Sequence, residues 1–325
     1  MDMKNVAALV GGSGAGKTTF ACMCDDEEKG IIAEGLTDYF ADVKWRFKLG
    51  ELPERTDPPV WDFVTIKQET LFRKWKISCV DCAGEVQNEI LKSLYDLSKE
   101  WKAGSKKKEN PFSKIVDETL DGESDELKDY VRGNIKKPIP EWARRLQKKK
   151  GEDGYVYRLV DSNIPKILFS MTLKDADRFI FTVDGVYLEK YWTWLQKRKS
   201  LDDMDRRKIE SDITEYLYNP LVYYGAILYL NRGVLKRAAK KVAIIITKSY
   251  KFGVRKGQMK YEKEVIEKFN KFLKNVPELK EELRWTQWKV KCVGVPGVEG
   301  MKRRHQGLDQ IFGVEEVIDW LFPLI

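Results

Sequence analysis

Short, fully apolar runs alternate along this chain with longer stretches that mix apolar and charged residues. Asn5 to Val10 (NVAALV) is such a run, stops at glycine and predicts a buried strand. Val60 to Lys67 (VWDFVTIK) and Leu71 to Val80 (LFRKWKISCV) are separated by three residues and predict a hairpin. In the second of them Trp75, Ile77 and Cys79 alternate with Lys74, Lys76 and Ser78, the period of a half-buried strand. Arg178 to Asp184 (RFIFTVD), after a short helix ending near Lys174, Val242 to Thr247 (VAIIIT) and Trp288 to Val295 predict further strands. Helices are predicted over Glu189 to Ile213, over Pro220 to Lys241 with a basic end, and over Lys260 to Asn275 with Val265, Phe269 and Phe272 on one side. A closing amphipathic helix is predicted over Val314 to Leu321, and Asp25 to Pro59 reads as polar and irregular. Strands that alternate with helices predict an α/β fold, a mostly parallel sheet with a helix layer on each side.

Between about Ser98 and Gly154 the texture changes. Lys106–Lys108 and Lys148–Lys150 bracket an acidic centre from Asp117 to Asp129, and prolines 111, 138 and 140 punctuate it. It reads as a charged, largely helical insertion, 98–165, in one enlarged domain formed by 1–97 and 166–325. The 325 residues, 42% apolar and 12% aromatic, can build a sizeable core. The longest apolar run, Leu221 to Leu230, is ten residues, short of the ~20 a spanning helix needs. The N-terminus has no secretory pattern, and an intracellular, cytoplasmic protein is expected. Five cysteines and one histidine exclude a disulfide framework and a multi-histidine zinc site. Cys79-x-x-Cys82 and Cys22-x-Cys24 read as buried small residues, and Trp75, Trp288 and Trp320 fall at core-like positions.

The segment Gly11-Gly12-Ser13-Gly14-Ala15-Gly16-Lys17-Thr18-Thr19 fits the phosphate-binding pattern G-x-x-x-x-G-K-[ST] between a strand and a helix. Glycines let successive backbone N–H groups turn inward around an anion, and the helix N-terminus adds its positive end. Lys17 then bridges terminal phosphates, and the Thr18 hydroxyl is a magnesium ligand. A second ligand is needed from a carboxylate at the end of a neighbouring strand. Asp81 is the first candidate, because Gly84 follows at the spacing D-x-x-G, and Asp184 is the second.

Taken together, these residues resemble the P-loop GTPases of the Ras, Arf and translation-factor group. Asp81-Cys82-Ala83-Gly84-Glu85 is similar to their D-x-A-G-Q switch motif, and Thr247-Lys248 to their [NT]-K-x-D base-reading loop. The resemblance covers about 1–97 and 166–325. It implies a three-layer P-loop sandwich with one antiparallel strand, the hairpin before Asp81 supplying it. It also implies that Gly12, Ser13, Gly14, Ala15, Gly16, Lys17, Thr18 and Thr19 hold phosphates and that Gly84 senses the γ-phosphate. Thr18, Thr56 and Asp81 would set the magnesium, with Thr37 and Thr65 less well placed than Thr56.

Two departures stand out. The loop reads Thr247-Lys248-Ser249-Tyr250, without the base-reading aspartate, so GTP and ATP both stay open. Glu85 occupies the position of the water-orienting glutamine; a carboxylate can accept from the attacking water, but its charge beside a triphosphate slows turnover. The expected function is magnesium-dependent hydrolysis of GTP or ATP coupled to a conformational switch. The alternatives are an ATP-driven, nucleic-acid-associated motor and a nucleotide-binding scaffold with negligible hydrolysis. The net charge of +8 is local: residues 216–261 carry ten Lys and Arg and no Asp or Glu. That segment is a candidate face for nucleic acid, an acidic partner or an anionic surface.

Overall fold

The computed structural model describes residues 5–12, 14–51, 53, 61–70, 73–82, 84–104, 110–121, 125, 128, 149–151, 154–156, 163–234, 239–254, 259–294 and 311–323. The chain begins with β1 (Val6–Gly11), α1 (Lys17–Cys24), β2 (Ile31–Gly35) and α2 (Asp38–Lys48), then β3 (Trp61–Glu69), β4 (Lys74–Cys82) and α3 (Gly84–Lys102). Next come α4 (Pro111–Leu120), a small hairpin of β5 (Lys149–Gly151) and β6 (Gly154–Val156), and α5 (Asn163–Asp175). The second half holds β7 (Arg178–Asp184), α6 (Gly185–Lys197), α7 (Asp203–Ile213), a π-helical turn (Thr214–Tyr218) and α8 (Asn219–Val234). It closes with β8 (Lys241–Thr247), α9 (Met259–Leu273), α10 (Pro277–Leu283), β9 (Gln287–Cys292) and α11 (Val314–Leu321).

Among the described residues the main sheet has seven strands in the order β2-β3-β4-β1-β7-β8-β9. Only β3 runs against its neighbours: β2–β3 and β3–β4 are antiparallel, and every other pair is parallel. The period of two along β1 explains the layers. Ala8 and Val10 face a core shared with Leu91, Phe169, Phe181 and Phe269, which carries α3, α5 and α9. Ala7 and Leu9 face the other core, with Phe20, Phe40, Trp75 and Ile318 from α1, α2, β4 and α11. The central strands are therefore apolar on both faces, as parallel strands covered by helices must be. This is a three-layer α/β sandwich with a mostly parallel sheet, as expected, and β1 lies between β4 and β7.

The stretch from Asp25 to Pro59 is not irregular where it is described. Ile31 and Ala33 of β2 point into the core while Ile32 and Glu34 face outward, adding an edge strand. Thr37 caps α2, accepting from the Tyr39 amide, and Phe40 and Phe47 anchor that helix. Buried Asp62 on β3 organises the junction. Its carboxylate accepts from the Leu36, Thr37, Phe40 and Phe63 amides and from the Thr37 hydroxyl at 2.7–3.0 Å. The helix predicted to reach Lys241 also ends earlier, because Lys241 opens β8 opposite Arg178. Its ammonium lies over the Trp320 ring and donates to the Trp320 carbonyl. Residue 98 falls within α3, which continues to Lys102, and α4 buries Phe112 and Leu120. Trp288, expected in the core, is exposed on edge strand β9, whereas Trp75 is fully buried. No helix of the described residues is long and apolar enough to cross a membrane.

Candidate functional site

The site forms at the C-terminal edge of β1, where a strand on each side leaves the following loop open to ligand. Gly14 and Gly16 sit in the left-handed region, at φ 64° and 79°, which turns the loop back onto the start of α1. Among the described residues a methyl on Gly14 would meet no atom of the rest of the chain within 4 Å, so this side of the loop is open there. Among the described residues no side chain caps α1, whose N-cap is Gly16, so its first amides are available to an anion. Lys17 is buried, and its ammonium donates to the Gly11 and Gly12 carbonyls at 3.2 and 3.1 Å. Thr19 follows in the first turn of α1, while Ser13 lies outside the described residues.

Thr18 and Asp81 are 63 residues apart, yet the Thr18 hydroxyl donates to the Asp81 carboxylate at 2.7 Å. The parallel pairing of β1 with β4 brings them together, since both strands end at the same edge. The rival carboxylate, Asp184, is occupied elsewhere: it accepts from the Val186 amide, capping α6, and from the Lys248 ammonium at 2.7 Å. Gly84 and Glu85 open α3; the Glu85 side chain and Thr56 lie outside the described residues. Thr37 is held by Asp62, and Thr65 lies on β3 opposite Ser78.

Thr247, read as part of the base loop, also braces the glycine loop after β1. Its hydroxyl donates to the Ala15 and Val183 carbonyls at 3.1 and 3.2 Å. Lys248 takes a left-handed φ of 50°, held there by its pair with Asp184. Two further neighbours of the loop carried no sequence signal. Tyr224 of α8 donates to the Thr182 carbonyl at 2.7 Å, and Pro220 Cγ stands 3.2 Å from where a methyl on Gly12 would be.

These groups fit a magnesium–nucleotide: a glycine nest open on one face, a buried lysine, and a hydroxyl beside a carboxylate. Among the described residues no cluster of three or more His, Cys, Asp or Glu could hold a metal. A magnesium bound through one hydroxyl, one carboxylate and phosphate oxygens needs none. A separate groove of about 1270 Å³ lies between the end of α1 and α11, and none of its described lining comes from the glycine loop. The cysteines Cys22, Cys24, Cys79 and Cys292 are buried, and burial pushes the Cys22 and Cys292 thiols up to about 12, which keeps them protonated.

The acid-free stretch 216–261 is not a bare cationic face. Arg232 pairs with buried Glu282 through two bonds of 2.9 and 3.0 Å, Lys240 with Asp177 at 2.6 Å, and Lys248 with Asp184. All three carboxylates come from outside the stretch. Lys236, Arg237, Arg255 and Lys256 lie outside the described residues. Comparison with protein-family models, with curated proteins and with solved structures returned no match.

Proposed function

We propose that this chain is a GTPase-like P-loop nucleoside triphosphatase that binds and slowly hydrolyses GTP or ATP with magnesium. The observation that carries the reading is the Thr18–Asp81 hydrogen bond beside the glycine nest. A hydroxyl from the first turn of α1 and a carboxylate from the end of β4 meet where a phosphate-bound cation would sit. The antiparallel strand ahead of the Asp81 strand, expected from the resemblance, supports the same reading.

Backbone amides of Gly14 to Thr18 bind the phosphates, and Lys17 exchanges two neutral carbonyls for phosphate oxygens. Thr18 and Asp81 separate to hold the magnesium, with Thr56 as the candidate third ligand. A magnesium held there would supply positive charge to offset the negative charge that builds up between the β- and γ-phosphates. The Gly84 amide meets the terminal phosphate, so α3 is the element whose position depends on the nucleotide state. Thr247 and Lys248 border the base side. The nucleic-acid motor reading has less support, because Arg232, Lys240 and Lys248 are spent on internal carboxylates.

Competition among GTP, ATP and their diphosphates with magnesium, measured on the wild-type chain and on Lys17→Ala, tests the proposal. Triphosphate binding that Lys17→Ala weakens is expected. Binding that ignores the substitution, or no binding to either triphosphate, refutes it.

A further inference from the structure

The first turns of α3 carry two neighbouring primary amides, Gln87 and Asn88, just beyond the switch residue Glu85. Gln87 is fully buried, on the helix face that also buries Ile90, Leu91 and Leu94. Neither its Oε1 nor its Nε2 has a hydrogen-bond partner among the described residues, and the buried Asn88 Oδ1 has none either. Buried amides without partners are rare in native proteins because each forfeits its hydration. Asn88 also has a definite place. Its Oδ1 stands 4.0 Å from the position of a methyl on Gly12, with Pro220 on the same glycine. Asn88 of α3 and Pro220 of α8 thus wall the phosphate loop at Gly12.

An amide suits this position better than Glu85. It donates through N–H to a phosphate oxygen and accepts through its carbonyl, whereas a carboxylate only accepts and adds negative charge. We propose that Asn88, its amide turned so that Nδ2 rather than Oδ1 faces Gly12, is the side chain that donates to the terminal phosphate, with Gln87 as the adjoining amide whose buried groups find partners only when α3 closes on a triphosphate. Glu85 is dispensable for this recognition. The inference rests on the P-loop reading above, and it assigns the discrimination of triphosphate from diphosphate to this amide pair.

The test uses the full chain and fluorescent GTP and GDP, or ATP and ADP, with magnesium. Asn88→Ala is expected to lower triphosphate affinity by about tenfold or more, the worth of one hydrogen bond to a charged group, and to leave diphosphate affinity within about twofold. Gln87→Leu keeps the buried shape and removes the amide. It is expected to raise the denaturation midpoint of the nucleotide-free protein while reducing the triphosphate-to-diphosphate preference. Glu85→Ala is expected to change that preference by less than about twofold. If Lys17→Ala still weakens binding but Asn88→Ala affects triphosphate and diphosphate equally, the amide assignment fails and the P-loop reading stands. If Gln87→Leu instead lowers stability and keeps the preference, its amide is a structural group and the inference is overturned. Loss of any Lys17-dependent binding refutes the P-loop reading itself.

Discussion

Gly16→Ala tests how tightly the phosphate loop is built into the fold, without recourse to any ligand. Gly16 has a φ of 79°, and an L-residue in the left-handed region costs about 1–2 kcal/mol. The new methyl would also stand 3.2 Å from Thr247 Cβ and Cγ2 and 3.3 Å from its hydroxyl. Thr247 cannot simply turn away, because its hydroxyl is shared between the Ala15 and Val183 carbonyls. Giving up that interaction costs about 1 kcal/mol. The two contributions together predict a loss of about 2–3 kcal/mol. Equilibrium urea unfolding of the nucleotide-free chain measures it. The double variant Gly16→Ala with Thr247→Ala separates the two parts, since truncating the threonine removes the Cγ2 and hydroxyl contacts and leaves the Cβ contact and the backbone strain. A coupling of about 1 kcal/mol, the double variant costing less than the sum of the singles, is expected. A Gly16→Ala cost below about 0.5 kcal/mol, or additivity within that error, refutes the argument that Thr247 braces this loop.

The remaining predictions follow from single contacts. Thr18→Ala removes the donor of a 2.7 Å hydrogen bond and Asp81→Asn the negative charge of its acceptor, and each should lower magnesium-dependent triphosphate affinity more than metal-free affinity in titration calorimetry; equal losses would take the pair out of a metal site. Arg232→Ala leaves Glu282, only 4% exposed, without its bidentate partner. It should cost about 1–3 kcal/mol in urea unfolding, partly restored by adding Glu282→Gln; no restoration would mean the loss is one of packing. Burial opposes ionisation of Asp25, but the Ala33 amide and the Lys48 and Lys44 ammoniums hold its carboxyl below the usual range. Its stabilisation is therefore complete above the unfolded carboxylate value, about 4, and is lost as pH falls through the lower folded value. Asp25→Asn should flatten the acid limb of the stability curve below about pH 4, and an unchanged limb would refute the assignment.

Much of the sheet was legible because its strands advertise themselves. RFIFTVD and VAIIIT are buried on both faces, so they are apolar throughout, and the Trp75–Ile77–Cys79 alternation marks a strand whose other face is partly wet. β2 and α2 were not legible. β2 is a five-residue edge strand with outward Ile32 and Glu34, and α2 is mostly polar, anchored by Phe40 and Phe47 and by a carboxylate on another strand. A contact supplied from 22 residues away leaves no local pattern.

The phosphate loop, Lys17, Thr18 and the D-x-x-G spacing after Asp81 were determined by the sequence alone, since backbone conformation and residue chemistry within a few positions specify them. Tertiary structure brought Asp81 rather than Asp184 to the Thr18 hydroxyl, because both β1 and β4 end at the same edge of the sheet, while Lys248 takes Asp184. It also placed Asn88 and Pro220 beside Gly12, and made Thr247 a brace for the loop. The largest revision concerns charge. Along the chain, 216–261 is a block of ten cations without one acid. In the fold, Glu282, Asp177 and Asp184 arrive from other elements to pair with three of them. Charge is summed along a sequence but neutralised across space, so its sign can be read from the residues while its availability is decided by the packing.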